Sequence, residues 1–293
     1  MQKIIDTHFH EFDVDRFYLD WLQDIPCMNR RIMFSEFEEM CKKGKGYEII
    51  GAIHVELDTP PEQKQDENDY MVNLAKNRSD LIKGAIIYGD MLSENMEEFV
   101  SQYLGKKEVL GIRCCLHFDY TPPKTCLSSV FIKNVQRLGE LGLGFDACMR
   151  SGEMLDLYEL ASQCPNTIIT LNHMGLPSVE AWYDENSQEE IDLWKAGIKK
   201  LGTLNNVVCK MSGLSTADLD VIRPLVDFCV DSFGYDNIIF SSNFPVCNWA
   251  MDMDDAGPAW TMAMLELFKD VPTEEKDKFF YKNAQRVYNI ELD

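Results

Sequence analysis

Short apolar runs alternate with longer amphipathic segments along the whole chain. Eight runs have the length of strands and recur at intervals of roughly 25–45 residues, which leaves room for a helix in every connection. Repeated strand–helix units predict a parallel sheet with both faces covered, and eight units predict closure into a barrel. The predicted strands span residues 3–9, 48–57, 81–88, 109–117, 142–149, 166–171, 206–211 and 237–241. The pattern therefore predicts an α/β protein, a single-domain (β/α)8 TIM barrel over residues 1–293.

Helical spacing of apolar positions predicts the connections between these strands. The predicted helices span residues 94–104, 129–141, 154–164, 189–201, 217–233 and 273–288. Two segments, 58–68 and 119–125, are polar and interrupted by proline, so we expect loops there. In a barrel both would lie at the C-terminal ends of the strands, where loops carry binding and catalytic residues.

Charge narrows the classes of partner. The 293 residues include 49 acidic and 28 basic side chains, a net charge of -21. Nucleic acids and anionic membranes attract basic surfaces, so neither is an expected partner. No apolar run approaches the ~20 residues of a membrane span, and no signal peptide precedes the first strand. We expect a cytoplasmic protein that acts on a small molecule, and a homo-oligomer stays open.

Ten cysteines raise the question of disulfides or a zinc ribbon. Five of them lie inside apolar stretches, where a free cysteine behaves as a small hydrophobic residue. These are Cys114, Cys115, Cys148, Cys209 and Cys229. No Cys-x-x-Cys spacing occurs, which argues against a zinc ribbon. A reducing compartment fits this pattern.

The first strand ends in the sequence DTHFH, residues 6–10. Alternate residues of a strand face the same side, so Asp6, His8 and His10 are predicted to project together. Two imidazoles at this spacing can bind one divalent ion. The alternative is a pair of packed or exposed histidines at a strand end.

Two further positions suggest groups at the same end of the barrel. His173 follows the sixth strand in the sequence LNHMGLP and is predicted to point into the barrel mouth, unless it only caps the loop. Arg113 interrupts the apolar fourth strand, and a buried guanidinium needs an anionic partner. It shares strand parity with His117, so both could line a substrate pocket. Alternatively, Arg113 forms a structural ion pair.

Polar residues near other strand ends complete the candidate set. His54 and Glu56 are predicted to share a face of the second strand, with Glu56 as a metal ligand or general base and His54 as a binding residue. A solvated strand end is the alternative for both. Arg150 could bind a substrate carboxylate through a bidentate fork, or form a surface ion pair. Lys210 could be catalytic or paired inside the barrel.

The ordered motifs DTHFH, GIRC, LNHMGLP, CKMSGL and SSNFPV resemble those of the amidohydrolase-related family of TIM-barrel hydrolases. The resemblance runs from residue 4 to residue 288. Within that family, the sequence is most similar to a branch of lactonases that act on sugar lactones and on pyrone- or muconate-derived lactones.

The resemblance implies a role for individual residues. His8 and His10 match the first-strand pair, His173 matches the sixth-strand histidine, and Arg113 matches an arginine that handles a substrate carboxylate or carbonyl. Asn243 stands where the family usually has an aspartate that binds metal or activates water. Asparagine is neutral and cannot serve as a general base.

Three outcomes follow from this asparagine. Another group, such as Glu56, His173 or His54, could supply the base. The reaction could need no strong base, as with an activated lactone. The third outcome is a barrel that binds a ligand without turning it over.

The resemblance also bears on cofactor and reaction. It implies a divalent ion on His8, His10 and His173, with Glu56 recruited as the fourth ligand and zinc first because imidazole suits it. A metal-independent reaction stays open. The predicted function is a hydrolase that opens a lactone or similar cyclic ester of a small carboxylated or sugar-like substrate. Non-oxidative decarboxylation on the same fold is the alternative enzyme reaction.

Overall fold

The computed structural model describes residues 1–78 and 80–292. Eight parallel strands form one sheet, and their order in space follows their order in the chain. The strands are β1 (Gln2–Phe9), β2 (Tyr47–Val55), β3 (Ile82–Tyr88), β4 (Val109–Cys115), β5 (Gly144–Cys148), β6 (Ile169–Leu171), β7 (Val207–Met211) and β8 (Ile238–Phe240). Every one overlaps a predicted run, and the predicted barrel is confirmed.

Hydrogen bonds between the end of β1 and the segment after β8 bring the first and last strands together. The Asn243 N–H donates to the His8 carbonyl at 2.9 Å, and the His10 N–H donates to the Phe244 carbonyl at 2.7 Å. The Thr7 hydroxyl donates to the Phe240 carbonyl at 2.7 Å. This seam places two motifs far apart in sequence, DTHFH and SSNFPV, side by side.

Helices cover the outside of the barrel. They are α1 (Phe34–Lys43), α2 (Lys64–Asn77), α3 (Met96–Ser101), α4 (Ser129–Glu140), α5 (Met154–Gln163), α6 (Val179–Tyr183), α7 (Gln188–Leu201), α8 (Leu219–Phe233), α9 (Val246–Ala250), α10 (Ala256–Leu267), α11 (Thr273–Asp277) and α12 (Asn283–Tyr288). A π-helical turn, Lys278–Lys282, joins α11 to α12. Each predicted helix is present, although the one predicted over 94–104 is shorter. No helix of the described chain is long and apolar enough to cross a membrane.

The loop predicted over 58–68 is wrong in its second half. A short 3-10 turn spans Pro61–Gln63 and α2 begins at Lys64. The prolines precede α2 and lie at the start of the 3-10 turn, where a missing N–H removes no hydrogen bond. The two prolines therefore lie at the start of a helical segment and do not interrupt one. The loop predicted over 119–125 is confirmed, since only a 3-10 turn, Thr125–Leu127, begins at its last residue.

An apolar cluster inside the barrel packs against the C-terminal segment of the chain. The cluster combines inward side chains of five strands with the C-terminal segment, and comprises Ile5, Ile53, Val55, Ile86, Val208, Ile239, Ala284, Tyr288 and Ile290. Tyr288 and Ile290 belong to this cluster, and none of its members lines the cavity at the C-terminal ends of the strands.

Candidate active site

A cavity of about 420 Å³ opens at the C-terminal ends of the strands. Five residues singled out in the sequence line it, namely His10, Arg113, His117, His173 and Asn243. The remaining wall is mainly apolar and includes Trp21, Leu57 and Trp249. The volume and the few converging polar groups are typical of a small-molecule site.

His8 and His10 converge as the i, i+2 spacing predicts. Their Nε2 atoms lie 3.1 Å apart. His10 Nδ1 lies 2.8 Å from the Val55 carbonyl, and because a carbonyl only accepts, this nitrogen carries the proton. The His10 Nε2 atom therefore presents a lone pair to His8. Burial, reinforced by neighbouring positive groups, holds the pKa of both imidazoles well below the usual value, so both are neutral at pH 7.

Asp6 does not project with the two histidines, and that part of the prediction is wrong. The pairing of β1 with β2 shifts register between Asp6 and Phe9, a β-bulge that breaks the strict alternation of side chains. Asp6 instead accepts hydrogen bonds from the backbone N–H groups of His8 and Ser242, at 3.2 and 2.9 Å. It thus fastens the seam between the first and last strands.

His173 joins the histidine pair from the other side of the barrel. Its ring centroid lies 4.5 Å from that of His8. Its Nδ1 lies 2.8 Å from the Ser212 hydroxyl, which fixes the ring and leaves Nε2 for the cavity. Burial lowers its pKa well below the usual value, with Arg113 as the next cause. Gly213 packs so closely that an added Cβ would lie 2.4 Å from the His173 Cβ.

Arg113 lines the cavity and also forms an ion pair, so both predicted interpretations hold in part. Its Nε donates to Glu56 Oε1 at 2.7 Å, and its Nη2 donates to the Glu56 carbonyl. Its Nη1 lies 3.4 Å from His8 Nε2. The guanidinium therefore bridges a buried carboxylate and the imidazole cluster.

Glu56 is placed as a counter-ion. Oε1 bonds to Arg113, while Oε2 accepts from the Asp58 N–H at 2.7 Å and lies 3.5 Å from Lys64 Nζ. Burial alone would raise the pKa of Glu56, but Arg113 and Lys64 hold it at about 2. A carboxylate with that pKa and these partners is a weak base, and its contacts do not support the predicted metal-ligand role.

Asn243 lies in the cavity wall with 6% of its surface exposed. Its backbone adopts a left-handed conformation, with φ of 62°, and Asn tolerates that region better than most residues. The strand-closing hydrogen bond to His8 holds it there. Its amide offers one donor group and one acceptor at neutral charge.

Two predicted binding residues lie outside the cavity. His54 stacks on Phe9 at 5.0 Å, and its Nε2 accepts the Glu11 N–H at 3.2 Å, so it does not share a face with Glu56. Arg150 donates to the Phe118 and Thr121 carbonyls at 2.7 and 3.0 Å. It also pairs with Glu153 at 2.6 Å, which leaves it a structural role in the loop after β4.

Lys210 is paired inside the barrel, which is one of the two alternatives predicted from the sequence. Its Nζ donates to Asp146 Oδ2 at 2.5 Å and to the Thr7 carbonyl at 2.9 Å, and the side chain is fully buried. This pair lies inside the barrel and does not line the cavity.

The His8 and His10 pair fits a divalent ion. Two nitrogens about 2.0–2.1 Å from a tetrahedral zinc lie about 3.3 Å apart, close to the observed 3.1 Å. The bond from His10 Nδ1–H to a carbonyl is the support that metal-binding histidines commonly have. No carboxylate joins this pair within the described residues, because Glu56 is held by two cations and Asn243 is neutral.

Sequence reasoning missed two residues of the cavity wall, Cys115 and Cys148. All ten cysteines are free, and the prediction treated these two as small hydrophobic residues. The spacing of Cys115 and His117 is that of His8 and His10, and this signal was available. The approach of Cys148 from the next strand was not readable, because it depends on the pairing of β4 with β5.

Comparisons with known proteins agree with this architecture. L-rhamnono-gamma-lactonase of Scheffersomyces stipitis is 24% identical and aligns with 98% of this chain and 99% of its own. L-fucono-1,5-lactonase of Burkholderia multivorans is also 24% identical, over 65% of this chain and 67% of its own.

Solved structures give the same result. An amidohydrolase from Bifidobacterium longum subsp. infantis has 26% identity and a TM-score of 0.76, over 99% of this chain and 100% of its own. A zinc-bound amidohydrolase from Burkholderia multivorans has a TM-score of 0.84 at 19% identity, over 98% and 99%, a likeness of fold. The family model described as Amidohydrolase matches residues 5–290, and the chain belongs to this family.

Proposed function

We propose that this protein is a hydrolase that opens a lactone of a small sugar-like or carboxylated acid. The observation that carries the proposal is the meeting of His10, His173, Arg113 and Asn243 at one cavity, with the buried His8 in contact with both histidines. The sugar-acid lactonases among its relatives support the substrate class. Water adds to the lactone carbonyl, the ring C–O bond breaks, and the product is the open hydroxy acid.

We assign the role of general base to His173. Glu56 is held ionised by two cations, and His54 faces away from the cavity. His173 is neutral and its Nδ1 bonds to the Ser212 hydroxyl; with the ring proton on Nδ1, its Nε2 takes a proton from water. The same nitrogen can return that proton to the ring oxygen as the C–O bond breaks.

The other cavity groups position the lactone and the water. The Nη1 group of Arg113, which is not used by Glu56, can donate to a substrate oxygen. The Asn243 amide can orient the attacking water or donate to the carbonyl oxygen. When a divalent ion is bound, His8 and His10 would hold it, and it would polarise the lactone carbonyl.

A lactone panel with matched histidine variants tests the proposal. The rate of ring opening is measured through the proton that the product acid releases. We expect this rate to fall about 100- to 10,000-fold in His173→Gln, the usual contribution of a general base. His54→Gln is the control outside the cavity and should keep most of the activity. Urea unfolding of each variant separates lost catalysis from lost folding. Equal turnover in His173→Gln and the wild type would overturn the assignment, as would release of CO2 without ring opening.

Asn243→Asp distinguishes the hydrolase from a barrel that only binds a ligand. We expect turnover to fall at least tenfold, because a carboxylate cannot donate to the carbonyl oxygen. A tenfold gain would show instead that the wild type lacks its base and that ligand binding is its present activity. The measurement is kcat and KM on the best lactone of the panel.

A further inference from the structure

A second cluster of metal-binding side chains lines the same cavity and takes no part in the proposed hydrolysis. Cys115 ends β4, His117 lies two residues further, and Cys148 ends β5. In the parallel pairing of these strands, Cys115 lies directly opposite Cys148. Two neighbouring strand ends therefore direct two thiols and one imidazole to one point of the wall.

The three donor atoms lie close enough together for one metal ion to draw them in. Cys148 Sγ lies 3.3 Å from His117 Nδ1, and the three donor atoms all lie within 4.8 Å of one another. Within residues 1–78 and 80–292, this is the one set of three histidine, cysteine or carboxylate donors that meets that limit. For bonds of about 2.3 Å to sulfur and about 2.0 Å to nitrogen, a tetrahedral zinc places its ligand atoms about 3.5–3.8 Å apart.

We propose that Cys115, His117 and Cys148 bind a zinc ion whose fourth ligand comes from the cavity. Two thiolates and an imidazole nitrogen form a donor set that zinc favours. On binding, each thiol releases one proton to solvent, and the two thiolates balance the two charges of the ion. Cys115 then gives up its contact with Glu56 Oε1, now 3.4 Å away, and Glu56 keeps its bond to Arg113.

Zinc sites with three protein ligands keep one position open for water or substrate. Cys115, His117 and Cys148 all line the cavity, so water or a carboxylate ligand in the cavity could supply an oxygen to that position. The inference goes beyond the proposed hydrolysis and does not rest on it, since His8 and His10 form a separate pair of donors at 3.1 Å.

Cobalt substitution tests the site directly. The purified full chain is stripped of metal under reducing conditions and titrated with Co²⁺ alone, and thiolate-to-cobalt charge-transfer absorption is measured. We expect this absorption in the wild type and its loss in the Cys115→Ser/Cys148→Ser variant. Competition with a chromophoric chelator should show zinc binding at least tenfold weaker in that variant.

Matched variants keep the result specific. Cys114, the preceding residue of the same strand, packs against the hydrophobic core and does not line the cavity, so Cys114→Ser should keep the absorption. His10→Asn should keep it too, because that residue belongs to the other donor pair. If the double variant fails to fold, His117→Gln replaces it, with weaker zinc binding as the expected result. Unchanged absorption in the cysteine variant would overturn the proposal.

Two other outcomes would also overturn it. One is a wild type that shows no thiolate–cobalt absorption at any Co²⁺ concentration while its thiols titrate as free. The other is a Cys115–Cys148 disulfide, found by mass spectrometry, that forms in place of metal binding even under reducing conditions. Lactone hydrolysis measured on the same variants reports separately on the proposed function.

Discussion

Replacing Lys210 by methionine leaves the carboxylate of Asp146 buried without its cation. Lys210 is fully buried, Asp146 is 1% exposed, and the two are joined at 2.5 Å. The substitution also removes the donor that satisfies the Thr7 carbonyl at 2.9 Å. Asp146 keeps hydrogen bonds from Asn172 and Tyr288, at 2.9 and 3.2 Å, which soften the loss.

The expected cost follows from these contacts. Breaking a buried ion pair by removing one partner typically costs 3–5 kcal/mol, and an unsatisfied buried carbonyl costs about 1–3 kcal/mol. Since the two remaining hydrogen bonds offset part of this, we expect Lys210→Met to lower the free energy of unfolding by about 3–5 kcal/mol. Adding Asp146→Asn should recover part of that loss, because no charge then stays unpaired.

Urea unfolding at pH 7, followed by the fluorescence of the five tryptophans, measures this cost. The matched control is Lys269→Met, which breaks an exposed pair with Glu266 and should change nothing measurable. A loss below about 1 kcal/mol in Lys210→Met, outside the range for buried pairs, would refute the reasoning. So would a double variant whose loss equals the sum of the two single ones.

Three further predictions concern the cavity and its supports. Burial, and next Glu56, raise the pKa of Glu67 from 4.5 to about 7, so Glu67→Gln should match the wild type near pH 4 and unfold at higher urea at pH 8. Glu56→Gln leaves Arg113 without its carboxylate and should lower the free energy of unfolding by about 3 kcal/mol at pH 7. The pKa of Glu56 is about 2 in the folded protein against an ordinary 4.5, so the wild type loses this stabilisation as the pH falls below 4.5. The urea midpoint of the variant should therefore approach that of the wild type below pH 4.5 and not above it. Gly213→Ala places a methyl against His173 at a φ of +84°, and we expect lower kcat with a smaller change in KM on the lactone panel; an unchanged kcat would contradict the tight packing.

The barrel could be predicted because burial on both faces leaves a mark in each strand. Parallel strands inside a helical shell are apolar along their length, and the chain carries eight such runs at the right spacing. The meeting of His10 with His173 then follows from topology alone, since the C-terminal ends of all strands lie at one rim.

The prediction of side-chain direction is wrong where side chains do not alternate strictly along a strand. Asp6 was placed with His8 because a regular strand requires it, and the bulge between Asp6 and Phe9 turns it to the seam. His54 was placed with Glu56 by the same rule, but β2 ends at Val55, between them. A strand's end and a bulge are set by pairing with neighbouring strands, which a single sequence does not display.

Side-chain contacts between strands were the second feature that the sequence did not predict. The ion pair of Arg113 with Glu56 was foreseen as a need for an anion, but its identity was not. The approach of Cys148 to His117 depends on the register of β4 with β5. Both contacts join residues more than 30 positions apart, beyond the reach of periodicity.

The C-terminal segment inside the barrel also bears on how the chain folds. Tyr288 reaches the buried Lys210 and Asp146 pair, with its ring 5.4 Å from the ammonium and its hydroxyl 3.2 Å from the carboxylate. During synthesis on the ribosome, the preceding strands exist before this ring emerges. We therefore expect water to reach the charged pair of the nascent barrel until residue 288 docks. Docking of that residue would be a late step, and it would complete the interior only after all eight strands are made.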